Sequence, residues 1–567
     1  MEQSLKVHIQ GAARELGFPE VSFSLEHPKE LSHGDWATNI ALILSKQADK
    51  SPKEVADQIA SKLGEKNIEG VEHISVAGAG FINFTLSRKV FVQYLTAALD
   101  EDWGSNATGS GKKIMLEYTD PNPFKPFHIG HLMTNAIGES LARLTEFSGS
   151  RVIRANYQGD VGAHVAKAIY GLQKKGKPDS SISISEQAQY IGACYVYGSN
   201  EYEKDAEAKG VIDEINKKIY ARSDTPINEL YDWGRSVTLE AFEELYKILG
   251  TKFNYYFFES EMAEKGAALV KEYLEKGIFE ESDGAVVFKA EKYNPKLHTR
   301  VFITSQGLPT YETKELGLTK TKFEKEHPDS SVVITAVEQK DYMAVATEAM
   351  RQIDASLAEK MIHITHGMMR FASGKMSSRK GNVITGESLL ADAKALVAEK
   401  ITERNLTQEE ASTLASTVAV AAIKFAILKQ ALGGDIIYNE EQAVSFDGDS
   451  GPYLQYTAVR AKTLLQKGAA LGINQNNSTP VSGTETLERI VARFPEVVLR
   501  AQVEWAPHFL ITYLTELAQL FNSWYGGEKI LDENHNATAY RLLVTAAVAQ
   551  TLTNGLSLLG ISVPEKM

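Results

Sequence analysis

Glu117–His131 reads EYTDPNPFKPFHIGH. It follows a short apolar run, Ile114-Met115-Leu116, and precedes a segment in which Leu132, Ile137, Leu141, Leu144 and Phe147 recur near helical spacing. The pattern predicts a strand over Lys112–Tyr118 and a helix over Leu132–Phe147. Pro121, Pro123 and Pro126 stiffen the turn between them, because each ring fixes its own φ and steers the preceding residue away from helix. The stretch ends in His128, Ile129, Gly130 and His131 at a helix N-terminus, where free N–H groups and the helix dipole favour an anion such as a nucleotide phosphate. Two imidazoles three residues apart can donate to phosphate oxygens, and Gly130 lets a nucleotide approach the backbone. Two unrelated histidines meeting by chance is the plain alternative, and the strand–loop–helix setting weighs against it.

The chain has 567 residues, 43% hydrophobic, enough for the cores of three or four domains. No apolar run reaches the length needed to span a bilayer, and the N-terminus MEQSLKVHIQGAARELGF lacks the basic start and apolar core of a secretory signal. Cys194 is the only cysteine, which excludes a disulfide framework or a cysteine-built zinc site within one chain and points to the cytoplasm. The net charge of −13 argues against binding nucleic acid through bulk charge, while leaving room for a shaped site that reads RNA locally.

Residues 1–105 read as a separate α/β module. Ser51-Pro52-Lys53-Glu54 forms a capping box with proline at the first helical position, and Val55, Ile59 and Leu63 share a face of the helix it opens. Ile82, Phe84 and Leu86 then alternate with Asn83 and Thr85 as in a strand. Glu101–Gly111, EDWGSNATGSG, reads as a linker. Residues 106–394 alternate strands and helices. Strand candidates are Lys112–Tyr118, Arg151–Tyr157, Ala285–Lys289, Val301–Ile303, Val332–Ala336 and Met361–His366. This predicts an α/β fold with a Rossmann-like doubly wound parallel sheet and ligands at the carboxyl ends of its strands. The mainly helical, polar stretch of about 170–280 reads as an insertion. From 395 to 567 strand signals vanish: Ala411–Leu432, ended by Gly433-Gly434, Phe509–Tyr525 and Ala539–Leu559 read as helices of an all-α bundle without basic excess.

Gly374-Lys375-Met376-Ser377-Ser378-Arg379-Lys380-Gly381 sets three cations and two hydroxyls between glycines. Such a loop can follow the charge of a triphosphate as pyrophosphate leaves. Alone it reads equally as a solvated cationic loop. Gly159-Asp160-Val161-Gly162 follows a strand and by itself reads as a turn.

Together these elements are specific. The chain resembles class I aminoacyl-tRNA synthetases, in which a HIGH element and a KMSKS-like loop jointly bind ATP, and more closely arginyl-tRNA synthetases. DPNPFKPFHIGHLMTNAIGESLARL, NYQGDVGAH, TYETKELGL, DGDSGPYLQYTAVRA, PHFLITYLTELAQLFNSWY and GLSLLGISVPEKM carry the likeness, with HGDWATNIAL in the first module. The resemblance marks Pro121, Asn122, Pro123, Phe124, Lys125, Pro126, Phe127, His128, Ile129, Gly130 and His131 as the HIGH region, and implies that His128, Gly130, His131, Lys375, Met376, Ser377 and Ser378 bind ATP. Catalytic roles fall to His128, His131, Lys125 and Lys375. Ser378 replaces the second lysine of KMSKS, and the family pattern suggests that Lys125 supplies the missing charge. Arginine recognition needs carboxylates, since a planar guanidinium binds them in forked pairs. The resemblance points to Glu117, Asn122, Tyr311, Glu315 and Gln339, with Glu315 where many relatives carry aspartate. It makes Gly159, Asp160 and Gly162 the active-site floor. Tyr453, Tyr456, Trp524 and Tyr525 could stack on splayed anticodon bases, although aromatics at helical spacing are more often core.

The implied activity is that of an ATP-dependent arginine–tRNA ligase. L-arginine, ATP with Mg²⁺ and tRNA(Arg) are its partners, with no membrane and no tightly bound metal or organic cofactor, and monomer is the family's state. The implied layout is 1–105 at the tRNA elbow, 106–394 catalytic and 395–567 at the anticodon. A class I synthetase of other amino-acid specificity is the nearest alternative. A small-molecule nucleotidyltransferase would have no use for the helical tail, and a catalytically dead paralogue would not need both histidines and Lys375.

Overall fold

The computed structural model describes residues 1–372, 384–402, 406–473, 479–532 and 537–567. The basic loop around Lys375 therefore lies outside the described residues. Contacts divide the chain into two compact units. One comprises Met1–Trp103, Arg460–Phe494 and Leu520–Thr551, and the other Gly104–Val459, Pro495–Gln519 and Leu552–Met567.

In the first unit, Leu25–Glu26, Trp36–Thr38, Phe81–Leu86 and Val71–Ala77 form a four-stranded antiparallel sheet. Its helices include Pro52–Gly64, whose Ser51 Oγ accepts the Glu54 N–H while the Glu54 carboxylate accepts the Ser51 N–H. Ile82, Phe84 and Leu86 are buried as their alternation predicts, but Asn83 is buried too. The tail helices packed here bring Glu488, 1% exposed, to Arg88 and Tyr540, whose hydroxyl donates to it at 2.9 Å.

The second unit holds a five-stranded sheet of β1 (Lys113–Glu117), β2 (Arg151–Gln158), β3 (Tyr255–Phe258), β4 (Ser330–Ala336) and β5 (Met361–His366). Its spatial order is β5-β4-β1-β2-β3 and every pairing is parallel. Met115, Leu116, Val332 and Ile334 are fully buried, as continuous apolar strands covered on both faces must be. The chain runs from β1 to β2 and β3, then returns to lay β4 on the opposite side of β1. Strand order reverses between β1 and β4, and the crevice beyond their carboxyl ends is the ligand position of a doubly wound sheet.

The strands differ from the sequence reading in three respects. Ala285–Phe288 and Arg300–Ile303 are strands, but they join Glu280–Ser282 in a separate antiparallel sheet. Alternation marks a strand without saying which sheet receives it. One edge of the parallel sheet is β3, which lies inside the stretch read as a helical insertion. Ile436–Tyr438, beyond the last expected strand, pairs in parallel with Met369–Phe371.

Gln408–Leu428 is long and apolar enough by composition to cross a membrane, contrary to the sequence reading, yet most of it is buried within the protein. It carries Lys424, 1% exposed, whose ammonium donates to Leu249 O at 2.6 Å and Gly560 O at 2.7 Å. Beside it Arg143, on the helix Ile129–Phe147, donates to Gly250 O and Ser557 O, both at 3.0 Å. Both side chains thus donate to carbonyls at two helix C-termini, where a cation such as Arg143 has the favourable sign for the helix dipole, while burial and then Arg143 push the Lys424 ammonium down to about 7.

Candidate active site

The loop leaving β1 is held in an uncommon backbone. Thr119, Asp120 and Phe124 have φ of 80°, 43° and 68°. Left-handed conformations cost a non-glycine residue about 1–2 kcal/mol each, so the surroundings must enforce them. Asn135 Nδ2 donates to Thr119 Oγ1 at 3.1 Å, Tyr157 N–H donates to Asp120 Oδ1 at 2.7 Å, and Phe124 is wholly buried against Tyr231.

The loop delivers His128 as the N-cap of the helix Ile129–Phe147. Gly130 N–H donates to His128 Nδ1 at 3.1 Å, and His128 N–H donates to His131 Nδ1 at 3.2 Å. The rings stack with centroids 3.5 Å apart. Because each Nδ1 accepts an N–H, each ring is neutral with its proton on Nε2, an uncharged donor. Desolvation and the nearby Lys125 push His128 down to about 4 and hold the buried His131 well below its ordinary value. A Cβ on Gly130 would lie 2.9 Å from His128 Cε1, so this glycine makes room for the stacked ring rather than for a nucleotide alone. Lys125 Nζ sits 5.4 Å from the centre of the Tyr195 ring.

Asn122 lies over Gly159, where a Cβ would come within 2.2 Å of Asn122 Oδ1. Asp160 is fully buried beneath. It accepts from Tyr231 Oη at 2.9 Å, Arg235 Nε at 2.9 Å, and Ser260 N and Oγ at 2.9 and 2.8 Å. It is therefore an anchor between β2, the insertion helix Thr225–Leu249 and the helix Glu259–Glu275. Gly162, at φ 123°, opens the next helix, Ala163–Lys175.

At the carboxyl end of β1, Glu117 is 2% exposed and pairs with Lys322 Nζ at 2.6 Å, an ion pair too poorly directed to count as a hydrogen bond. Lys322 and Glu315 come from the helix Tyr311–Glu326, which is polar in sequence and yet mostly buried. Backbone-to-backbone packing seats it: a Cβ on Gly266 would meet Thr313 O at 2.0 Å, and one on Gly317 would meet Met262 O at 2.5 Å. The same packing brings Lys314 to Glu259 at 2.6 Å. Glu315 is 2% exposed, its Oε1 has no hydrogen-bond partner among the described residues, and burial pushes its carboxyl up to about 7 against the pull of Lys322. Tyr311 opens this helix and is 62% exposed. Gln339 is exposed in the turn after β4.

Lys375, Met376, Ser377 and Ser378 lie outside the described residues, but the chain after them is described. Thr385 bridges His128 in antiparallel fashion, and Gly386 N–H donates to Phe127 O at 2.7 Å. The exit of the basic loop is thus bonded to the histidine element itself.

Three stretches of the chain match known families. Residues 94–439 match the family model "tRNA synthetases class I (R), catalytic domain", 3–86 the "Arginyl tRNA synthetase N terminal domain" and 454–567 the "DALR anticodon binding domain". The chain belongs to the class I arginyl-tRNA synthetases. It is 30% identical to the arginine–tRNA ligase of Limosilactobacillus reuteri over 100% of both chains. It is 31% identical to that of Oenococcus oeni over 96% of this chain and 95% of that one. Among solved structures it shares the fold of Thermus thermophilus arginyl-tRNA synthetase, with a TM-score of 0.81, 24% identity and 100% of both chains covered. It also shares that of the Plasmodium falciparum arginyl-tRNA synthetase, with a TM-score of 0.79, 18% identity, and 100% and 99% covered.

Within this arginyl-tRNA synthetase family member, sequence reasoning missed Lys322, Asp120 and the Glu259–Lys314 pair. Glu315 and Lys322 are seven residues apart, two helical turns, which places them on one face and was the available signal. In the tail, Tyr453 and Tyr456 belong to the second unit, and Tyr456 lines a cavity of about 300 Å³ with Leu406, Leu414, Lys566 and Met567. Trp524 belongs to the first unit, where it packs on the Leu464, Ile530 and Leu542 cluster beside Tyr525 in sequence.

Proposed function

We propose that the crevice between β1 and β4 activates L-arginine with ATP and passes the arginyl group to the 3′-terminal adenosine of tRNA(Arg). The observation that carries this reading is the buried carboxylate surplus at the end of β1, set beside two neutral histidines. Glu117 and Glu315 face one lysine, and a guanidinium is the cation that answers two carboxylates with forked hydrogen bonds. Asn122, Tyr311 and Gln339 are assigned to the rest of the amino acid, and Gly159, Asp160 and Gly162 to the floor beneath it.

A carboxylate oxygen of arginine attacks the α-phosphorus of ATP, and the bond to the bridging oxygen of pyrophosphate breaks. The Nε2–H groups of His128 and His131 donate to phosphate oxygens, and Lys125 and Lys375 carry positive charge to them. Preorganised donors of this kind contribute about 10²–10³ in rate apiece. Met376, Ser377, Ser378 and Gly130 complete the ATP-binding set. Magnesium arrives with ATP as part of the substrate; among the described residues no group of three or more His, Cys, Asp or Glu side chains is placed to hold an ion. The 2′-hydroxyl of the terminal adenosine then attacks the carbonyl carbon and AMP leaves. No covalent enzyme intermediate is needed, and positioning supplies much of the acceleration.

Residues 1–105 are assigned to the tRNA elbow, 106–394 to catalysis and 395–567 to the anticodon, with Tyr453, Tyr456 and Trp524 as stacking candidates. The protein acts as a cytoplasmic monomer. ATP–pyrophosphate exchange over the twenty amino acids, with and without total tRNA, tests the reading. Exchange that depends on arginine and tRNA is expected, and exchange driven by another amino acid, or none, defeats it.

A further inference from the structure

We propose that Asp120 is a third carboxylate of the arginine subsite and a determinant of its selectivity for a cationic guanidinium over a neutral side chain. This rests on reading the crevice as an arginine site.

Asp120 stands three residues beyond Glu117 in the strained turn, at φ 43°. Aspartate is among the few side chains that tolerate this backbone. Tyr157 N–H holds Oδ1 at 2.7 Å, while Oδ2 makes no hydrogen bond among the described residues. The carboxylate is thus fixed through one oxygen with the other left over. Burial and then the neighbouring Glu117 hold this carboxyl well above the usual range, with the Tyr157 N–H and Lys322 pulling it back.

Charge balance supplies the second observation. Among the described residues Lys322 is the ammonium paired with Glu117, at 2.6 Å, while Asp120, in the loop after β1, and Glu315, on the helix Tyr311–Glu326, both lie close enough to feel Glu117 and Lys322. Glu315 is 2% exposed, and its Oε1 has no hydrogen-bond partner among the described residues. The nearby cations are committed elsewhere: Lys314 pairs with Glu259 at 2.6 Å, and Lys125 lies over Tyr195. Tyr157 and Tyr342 add hydroxyls kept neutral by burial first and then by the surrounding carboxylates, Glu117 and Glu315 among them, and Tyr157 Oη has no hydrogen-bond partner among the described residues. Carboxylates in excess of cations either hold protons or wait for an arriving cation. A guanidinium brings a permanent charge and five N–H donors. A neutral isostere such as citrulline brings no charge, and leaves buried acceptors unsatisfied. That is the condition under which polar sites reject analogues strongly.

The experiment compares the full chain with D120N in tRNA-dependent ATP–pyrophosphate exchange, using arginine, and measures inhibition by citrulline. D120N keeps an oxygen for the Tyr157 N–H, and asparagine tolerates the backbone. The expected result is a rise in KM for arginine of about tenfold to a hundredfold, the size of one charge-assisted interaction, with KM for ATP unchanged and citrulline gaining on arginine. An unchanged KM for arginine overturns the assignment of Asp120 while leaving the arginine site standing; absence of arginine-dependent exchange in the unmodified chain overturns the site itself. Calorimetry of arginine binding to the unmodified chain with tRNA, in two buffers of different ionisation enthalpy at pH 7, needs no variant to fold. Net proton release supports the surplus of protonated carboxyls, and none refutes it.

Discussion

His128 and His131 stack with centroids 3.5 Å apart, and each accepts a backbone N–H on Nδ1. Both rings are therefore neutral donors at physiological pH. The rate of arginine activation should show no step near pH 6.5 from these groups, since their protons leave at far lower pH. H131N should lower the exchange rate by about 10²–10³. A pH–rate profile with a step near 6.5 that H131N abolishes would contradict the neutral assignment.

Lys125 is the candidate replacement for the charge missing at Ser378. K125A should slow activation by about 10² or more, while K125R retains part of the rate. Single-turnover kinetics at saturating ATP measures this, and an unaltered rate in K125A rules the compensation out.

Lys322 is 1% exposed and answers Glu117. Removing one partner of a buried pair leaves an uncompensated charge, so K322M should cost about 3–5 kcal/mol of stability. Chemical denaturation reads this directly. Equal stability of K322M and the unmodified chain would show that the Lys322–Glu117 pair does not hold the fold together.

Glu315 titrates at about 7 in the folded chain, above its unfolded value of 4.5. Between those values the folded state binds the extra proton. The stability it contributes is full below pH 4.5 and is lost as pH rises through 7, a span worth about 3 kcal/mol at most. Thermal unfolding without arginine should therefore decline from pH 5 to pH 8, and E315Q should flatten that decline. A matching slope in E315Q would assign the effect to other groups.

A methyl group on Gly159 meets Asn122 Oδ1 at 2.2 Å. G159A should displace Asn122 and raise KM for arginine by about tenfold, with a smaller effect on ATP. Steady-state kinetics with each substrate varied in turn decides it.

The strand–loop–helix at Glu117–His131 was legible because prolines and apolar spacing act locally. β4 and β5 were legible as apolar runs. β3 was not, since NYYFF is short and follows a long helical stretch. The two antiparallel strands were found and put in the wrong sheet, because pairing is decided by partners far away in the chain. In the site, Glu117 and Glu315 could be named from chemistry and family likeness. Lys322 could not, because a lysine in KELGLTKTKFEKE reads as a solvated face until Gly266 and Gly317 press that helix into the core. Asp120 was hidden for another reason: its role depends on a backbone angle that composition does not reveal.

The placement of β4 beside β1 also orders events during synthesis. Glu117 leaves the ribosome roughly two hundred residues before Lys322, and β2 can pair with β1, and β3 with β2, long before β4 exists, a delay that long-range parallel pairing imposes. Until then one edge of β1 is open, and Glu117 remains hydrated instead of paired. A nascent chain stalled before residue 322 should therefore expose this edge to chaperones, and arginine should protect from proteolysis only chains long enough to have closed it.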